Sequence, residues 1–187
     1  MTDDDGHVVT PTLWYHPSPV GELLIEVTED GVRSLRFPNE AETRPAHLDV
    51  TTHGVPDPVT ASALDQYFAG DPEALNALPV DLGLVRGLRH RQVLEVLRAR
   101  TRFGETVTYG TLAEWSGVPG AAQLIGQIMG ANPLPIIIPC HRVVAADGSL
   151  GGFSGGLDTK RALFRIEGIM PRAGGWGHPG YDQPELF

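Results

Sequence analysis

Residues 136–142 read I-I-I-P-C-H-R, and the thiol they carry, Cys140, is the single cysteine of the 187-residue chain. A free cysteine is most often a small buried hydrophobe. Three features of this one point to a nucleophile instead. His141 and Arg142 follow it, and a cationic neighbourhood lowers a thiol pKa from about 8.5 and raises the thiolate fraction. Pro139 stops the apolar run at the thiol, and the glycine-rich loop G-G-F-S-G-G (151–156) can bring backbone N–H groups near a substrate. A nucleophilic thiol also needs a base, and the base needs an orienting group. His141 is the obvious base. In an extended segment Cys140 and His141 would face opposite ways, so a water would link them. Glu167 is one candidate to hold the imidazole.

One cysteine forms no internal disulfide and excludes zinc sites built on two or more thiolates. It suits a reducing, cytoplasmic setting. His7, His16, His47, His53, His90 and His178 are scattered, and no metal site or cofactor is expected of them. No apolar stretch approaches the roughly eighteen residues a membrane helix needs, and the acidic opening M-T-D-D-D-G is unlike a signal peptide.

The elements that must position the thiol fall into two halves. Residues 12–37 alternate as a β-hairpin turning at Asp30-Gly31. Residues 39–58 read as a loop, Thr60–Phe68 as a helix with Ala61, Leu64 and Phe68 on one side, and 70–84 as an irregular linker between domains. From Leu88 the pattern is helical. Thr108 is an N-cap for a helix over Tyr109–Ser116, Gly117 closes it, and a second helix covers Ala121–Ala131. Two short helices joined by a Gly-containing turn form a helix-turn-helix candidate. On the second, Ala122, Gly126 and Gly130 share a face. Glycine inside a helix costs about 1 kcal/mol relative to alanine, so this face admits a close backbone, either a neighbouring helix or a nucleic-acid strand. Leu134–Ile138 is an apolar run that reads as a strand ending at Pro139. Leu157–Ile166 is a last helix with its charged residues outward, and 169–187 is a Gly/Pro-rich flexible tail.

The net charge of −9 conceals an asymmetry. Residues 1–85 hold three arginines against fifteen acidic residues, a charge of −12. Residues 86–168 hold nine arginines and one lysine against six acidic residues, a charge of +4. The half that carries the thiol is the one suited to a polyanion.

P-C-H-R-V, the upstream N-P-x-P-I-x-I and the downstream G-x-x-G-G-F-S-G-G-L-x-x-K together resemble the O6-alkylguanine-DNA alkyltransferases, also called methylated-DNA–protein-cysteine methyltransferases. The resemblance runs from about Arg86 to Gly168. It extends less specifically to S-P-V-G-E-L-L-I-E-V-T-E-D-G-V in the N-terminal half. It implies an α+β fold. A small β-sheet/helix, ribonuclease H-like domain (1–85) would precede a mainly helical, winged-helix-like helix-turn-helix domain (86–168) that carries the active site.

It also implies a monomeric repair protein that flips an alkylated guanine from double-stranded DNA and takes the O6 alkyl group irreversibly onto Cys140, in a single turnover without cofactor. His141 then matches the base reached through water and Glu167 the carboxylate that holds it. Tyr109 matches the tyrosine that protonates the departing guanine at N3. Val143, Phe153, Ser154, Gly155, Asn132 and Met129 match the substrate-contacting positions, with Asn132 bracing the turn into the active-site segment. Ala121, Ala122, Gln123, Gly126, Arg142 and Tyr109 match DNA-contacting positions on or near a helix laid in the minor groove.

One departure stands out. Where the resemblance implies A-A-R, with the arginine entering the duplex in place of the flipped base, this chain has Ala121-Ala122-Gln123. Glutamine can hydrogen-bond the orphaned cytosine but offers no cationic plane. The alternatives are therefore a divergent homologue with weakened duplex flipping, accepting alkyl groups from free bases or single strands, and a protein that binds alkylated bases without reacting. Q-P-E-L-F, with Gln183, Leu186 and Phe187, resembles sliding-clamp docking peptides.

Overall fold

The computed structural model of the protein describes residues 11–37, 54–172 and 175–177. β1 (Thr12–His16), β2 (Leu23–Thr28) and β3 (Gly31–Arg36) form an antiparallel sheet in the order β1-β2-β3. The expected hairpin is thus a three-stranded meander. Asp57 caps α1 (Pro58–Phe68), its carboxylate accepting the Thr60 N–H at 2.7 Å, with Pro58 in the first turn. The buried face of α1 carries Thr60, Ala63, Leu64 and Tyr67. The face therefore includes Tyr67 rather than the Phe68 that the helical spacing predicts. Most of the loop expected over 39–58 lies outside the described residues.

Residues 70–84 are no loose linker. Val32 N–H donates to Pro79 O at 3.0 Å and Asp81 N–H to Val32 O at 2.9 Å. The Asp81 carboxylate accepts from Arg33 Nε at 2.6 Å, Thr28 Oγ1 at 2.9 Å and the Gly83 N–H at 2.7 Å. Leu75 and Leu78 are buried. Polar turn residues hid this, because the segment is held through its backbone and one carboxylate rather than through periodic apolar side chains.

α2 (Leu88–Arg100), β4 (Val107–Thr108), α3 (Tyr109–Trp115) and α4 (Ala122–Gly130) follow. Thr108 caps α3 as expected, accepting from Thr111 N–H at 3.1 Å. Val93, Leu94 and Leu97 of α2, Leu112 of α3 and Ile125 and Ile128 of α4 are almost fully buried; each such side chain contributes about 1.5–3 kcal/mol. They join Trp14, Ile25, Leu35 and Leu64 in one continuous core, so the two halves share their interior. Leu35 N–H also donates to Pro133 O at 2.9 Å, tying β3 to the segment that leads to the thiol.

That segment is not the strand expected of Leu134–Ile138. It is a series of turns, with Ile136 at a φ of 72°, leading into a single 3-10 turn at Cys140–Arg142. β5 (Val143–Val144) pairs in parallel with β4, and α5 (Leu157–Ile166) packs on the thiol turn. The tail reading also needs correction. β6 (Met170–Arg172) and β7 (Gly175–Gly177) pair antiparallel, Trp176 N–H donates to Gly148 O at 2.9 Å, and the Trp176 ring lies 5.3 Å from that of Phe164. Ordered chain therefore continues past residue 168, because Ile169 and Trp176 cover Phe164.

Candidate active site

Cys140 is 4% exposed and sits in a cavity of about 390 Å³ lined by Tyr109, Gly126, Met129, Gly130, Gly152, Phe153 and Ser154. The small face of α4 thus serves this cavity: Gly126 and Gly130 form part of its wall. Tyr109 stands at the start of α3, placed by the Thr108 cap. A Cβ on Gly151 would lie 2.7 Å from the Tyr109 hydroxyl, and Gly151 has a φ of 64°, so only glycine lets the loop close over the tyrosine.

Asn132 braces the approach to the thiol. Its amide donates to Ile138 O at 2.9 Å and its carbonyl accepts from Leu134 N–H at 3.0 Å. This is a bracing position; it does not line the cavity. Val143 is likewise buried in the core and does not line the cavity. Gly155 lies under Phe37 and Phe153, whose rings meet edge to face at 5.6 Å.

Behind the thiol, His141 Nε2 is 2.7 Å from Glu167 Oε1. Glu167 also accepts from Arg142 Nε at 2.9 Å, Arg142 Nη2 at 3.0 Å, the Gly104 N–H at 3.2 Å and the Tyr67 hydroxyl at 2.7 Å. Burial alone would raise this carboxyl. His141 and Arg142 more than reverse that and hold it below the usual carboxylate range. Burial also lowers the His141 pKa, so the ring is neutral at pH 7. With an ionised carboxylate at Nε2, that nitrogen carries the proton and Nδ1, which has no partner among the described residues, is the basic one.

Two expectations fail here. Arg142 is no DNA contact, since its guanidinium points inward to Glu167 and to Thr101 O at 2.7 Å. Nor is the thiol acidified at rest: burial pushes Cys140 up to about 11, against smaller opposing contributions from Asn132 and Lys160. The reason is common to both. Arg142 is neutralised by Glu167 and His141 is uncharged, so the neighbours in sequence bring no free cation.

The cation near the sulfur is Lys160, which the outward reading of α5 missed. It is fully buried, donates to Val143 O at 2.7 Å and to Leu150 O, and is lowered by burial to about 8. Among the described residues no carboxylate pairs with it. The signal was available: its i+3 and i+4 neighbours Leu163 and Phe164 are the buried ones.

Residues 14–82 match the 6-O-methylguanine DNA methyltransferase ribonuclease-like domain, and residues 89–169 match the 6-O-methylguanine DNA methyltransferase DNA binding domain. A methylated-DNA–protein-cysteine methyltransferase of Mycobacterium bovis is 40% identical over 154 residues, covering 80% of this chain and 88% of that one. The human protein of the same name is 35% identical, covering 81% and 77%.

The chain belongs to the 6-O-methylguanine DNA methyltransferase family.

The fold of a family member from Mycobacterium tuberculosis, solved in complex with DNA, superposes with a TM-score of 0.70 at 34% identity, covering 84% of this chain and 93% of that one. The two-domain α+β architecture is that of the family. Within this methyltransferase fold, Ala122 and Gln123 are exposed at the start of α4, away from the charged cluster behind Cys140. Gln183, Leu186 and Phe187 lie outside the described residues.

Proposed function

We propose that this protein repairs DNA by transferring an alkyl group from guanine O6 to the sulfur of Cys140, once per molecule. The observation that carries the reading is the placement of Cys140 in a cavity walled by Tyr109, two helix glycines and the 152–154 loop, with a neutral imidazole and its carboxylate directly behind. Family relatives named as methylated-DNA–protein-cysteine methyltransferases favour it over the divergent, weakly flipping alternative.

The chemistry follows from the residues. An extruded alkylguanine enters the cavity, where Met129 and Phe153 supply apolar surface. The thiol proton passes through a water to His141 Nδ1, and Glu167 stabilises the imidazolium that results. Lys160 stabilises the developing thiolate. Sulfur attacks the alkyl carbon; the S–C bond forms as the C–O6 bond breaks, and that electron pair passes into the purine. Tyr109, whose pKa is raised by burial and by Cys140, keeps its proton until the guanine leaves and then donates it to the ring. The phenolate regains a proton from solvent as His141 gives its own up. A thiol that rests protonated suits a protein with one turnover, because stray electrophiles meet little thiolate.

The partner is duplex DNA bearing O6-alkylguanine, gripped by the exposed start of α4, with the protein acting as a monomer in the cytoplasm. Gln183, Leu186 and Phe187 dock on a sliding clamp. Incubation with methylated duplex should add a single methyl to Cys140 in an intact-mass spectrum, and an unmodified protein would refute the reading. Loss of the last five residues should abolish clamp pull-down without changing transfer.

A further inference from the structure

The N-terminal half meets the reaction centre through a hydroxyl that the scheme above does not use. Tyr67, on the buried face of α1, is 1% exposed and donates to Glu167 Oε1 at 2.7 Å. The same oxygen takes His141 Nε2 at the same distance. Arg142 Nη2 donates to it too, at 3.0 Å, so three donors share the charge of one carboxylate oxygen. The Tyr67 ring packs edge to face against Phe68 and Phe103, at 5.2 and 5.8 Å. Burial and the neighbouring Glu167 both raise the tyrosine's pKa, so it stays a donor.

We infer that Tyr67 is a positioning residue for alkyl transfer: it orients Glu167 Oε1 toward His141 and, by sharing that oxygen, sets how basic His141 is. This rests on the repair reading above. The groups facing the pair are Arg142 and Cys140 from the thiol turn, Lys160 from α5, the Gly104 N–H from the loop before β4, and Tyr67 from α1. Arg142 and the Gly104 N–H hold the carboxylate in place. Among the described residues, Tyr67 is the one contribution from the other half of the chain. Removing its hydroxyl concentrates the charge of Oε1 on the His141 N–H. That favours the imidazolium and raises the His141 pKa. The base is then lost to protonation at a higher pH.

The test is Tyr67→Phe, which deletes one oxygen and keeps the ring. Two rates are followed from pH 5 to 9: alkylation of Cys140 by iodoacetamide, and methyl transfer from methylated duplex. The acidic limb of both should move to higher pH, by up to about 1 unit for the loss of one charge-assisted hydrogen bond. Phe68→Leu, which loosens the same ring without touching the hydroxyl, should lower the melting temperature and leave the limb where it is. Limbs that coincide for Tyr67→Phe and wild type would overturn the inference, as would an equal shift in Phe68→Leu. The iodoacetamide arm reads the inference without DNA. A wild-type protein that reacts there but takes no methyl from duplex would sink the repair reading instead.

Discussion

The reaction centre and the exposed start of α4 are built on opposite terms. Behind Cys140, Glu167, Arg142, His141 and Lys160 are buried, and each is held by two or more hydrogen bonds or by a charged neighbour. Along α4 the sequence A-Q-L-I-G-Q-I-M-G carries no charge, and Ala122, Gln123, Gln127 and Gly130 are exposed. Buried ionic groups cannot be changed singly, because removing one partner strands the other. An exposed side chain can change without consequence for the fold. Gln123, where the resemblance implies arginine, lies on the exposed side, whereas 141, 142 and 167 lie on the buried one.

Breaking the buried side should have the largest effects. Cys140→Ala should abolish methyl transfer, read by intact mass, while binding to methylated duplex persists in a gel-shift assay. Glu167→Gln should follow, since it leaves Arg142 without its countercharge. Loss of one partner of a buried pair costs about 3–5 kcal/mol, measurable by urea denaturation at pH 7. The sign with pH is fixed by the depressed pKa of Glu167. Its contribution is complete above the unfolded carboxyl value of about 4.3 and is lost as pH falls through the lower folded value. The stability gap between wild type and Glu167→Gln should narrow in acid; a constant gap would mean that the charge is not what holds the cluster.

Lys160→Met removes the buried cation that interacts with the sulfur. The thiol, already at about 11, should rise further, slowing transfer at neutral pH by about tenfold for each added unit. Restoring the rate at higher pH would identify the thiolate fraction as the cause. The exposed side should respond least. Gln123→Arg should speed repair of duplex DNA severalfold through a cationic plane that replaces the flipped base. Its reactivity toward iodoacetamide and free O6-benzylguanine should stay at the wild-type level. A change in the free-base rate would place Gln123 in the chemistry and erase the contrast between the two regions.

The chemistry-bearing residues were legible where neighbours in sequence are neighbours in space. Cys140, Tyr109 after its Thr108 cap, the helix pair and the 151–156 loop all stand where local rules put them. What escaped was direction. Arg142 looked like an outward cation beside the thiol and is instead turned in toward Glu167, twenty-five residues away. Lys160 looked like surface and is the buried cation of the site. Tyr67 sits one hundred residues from the carboxylate it contacts. Residues 70–84 looked like a linker because backbone pairing with β3 leaves no periodic trace in side chains.

The sequence by itself determined the nucleophile, its candidate base, the cap and glycines that shape the cavity, and the division into an acidic and a basic half. These follow from residue type and short-range stereochemistry. Only the tertiary structure decided the state of the thiol and the owner of each charge. Both depend on burial and on long-range pairing: desolvation raises Cys140 and lowers His141 and Lys160, and Glu167 can neutralise Arg142 only once the fold has carried α5 back against the turn at residues 140–142.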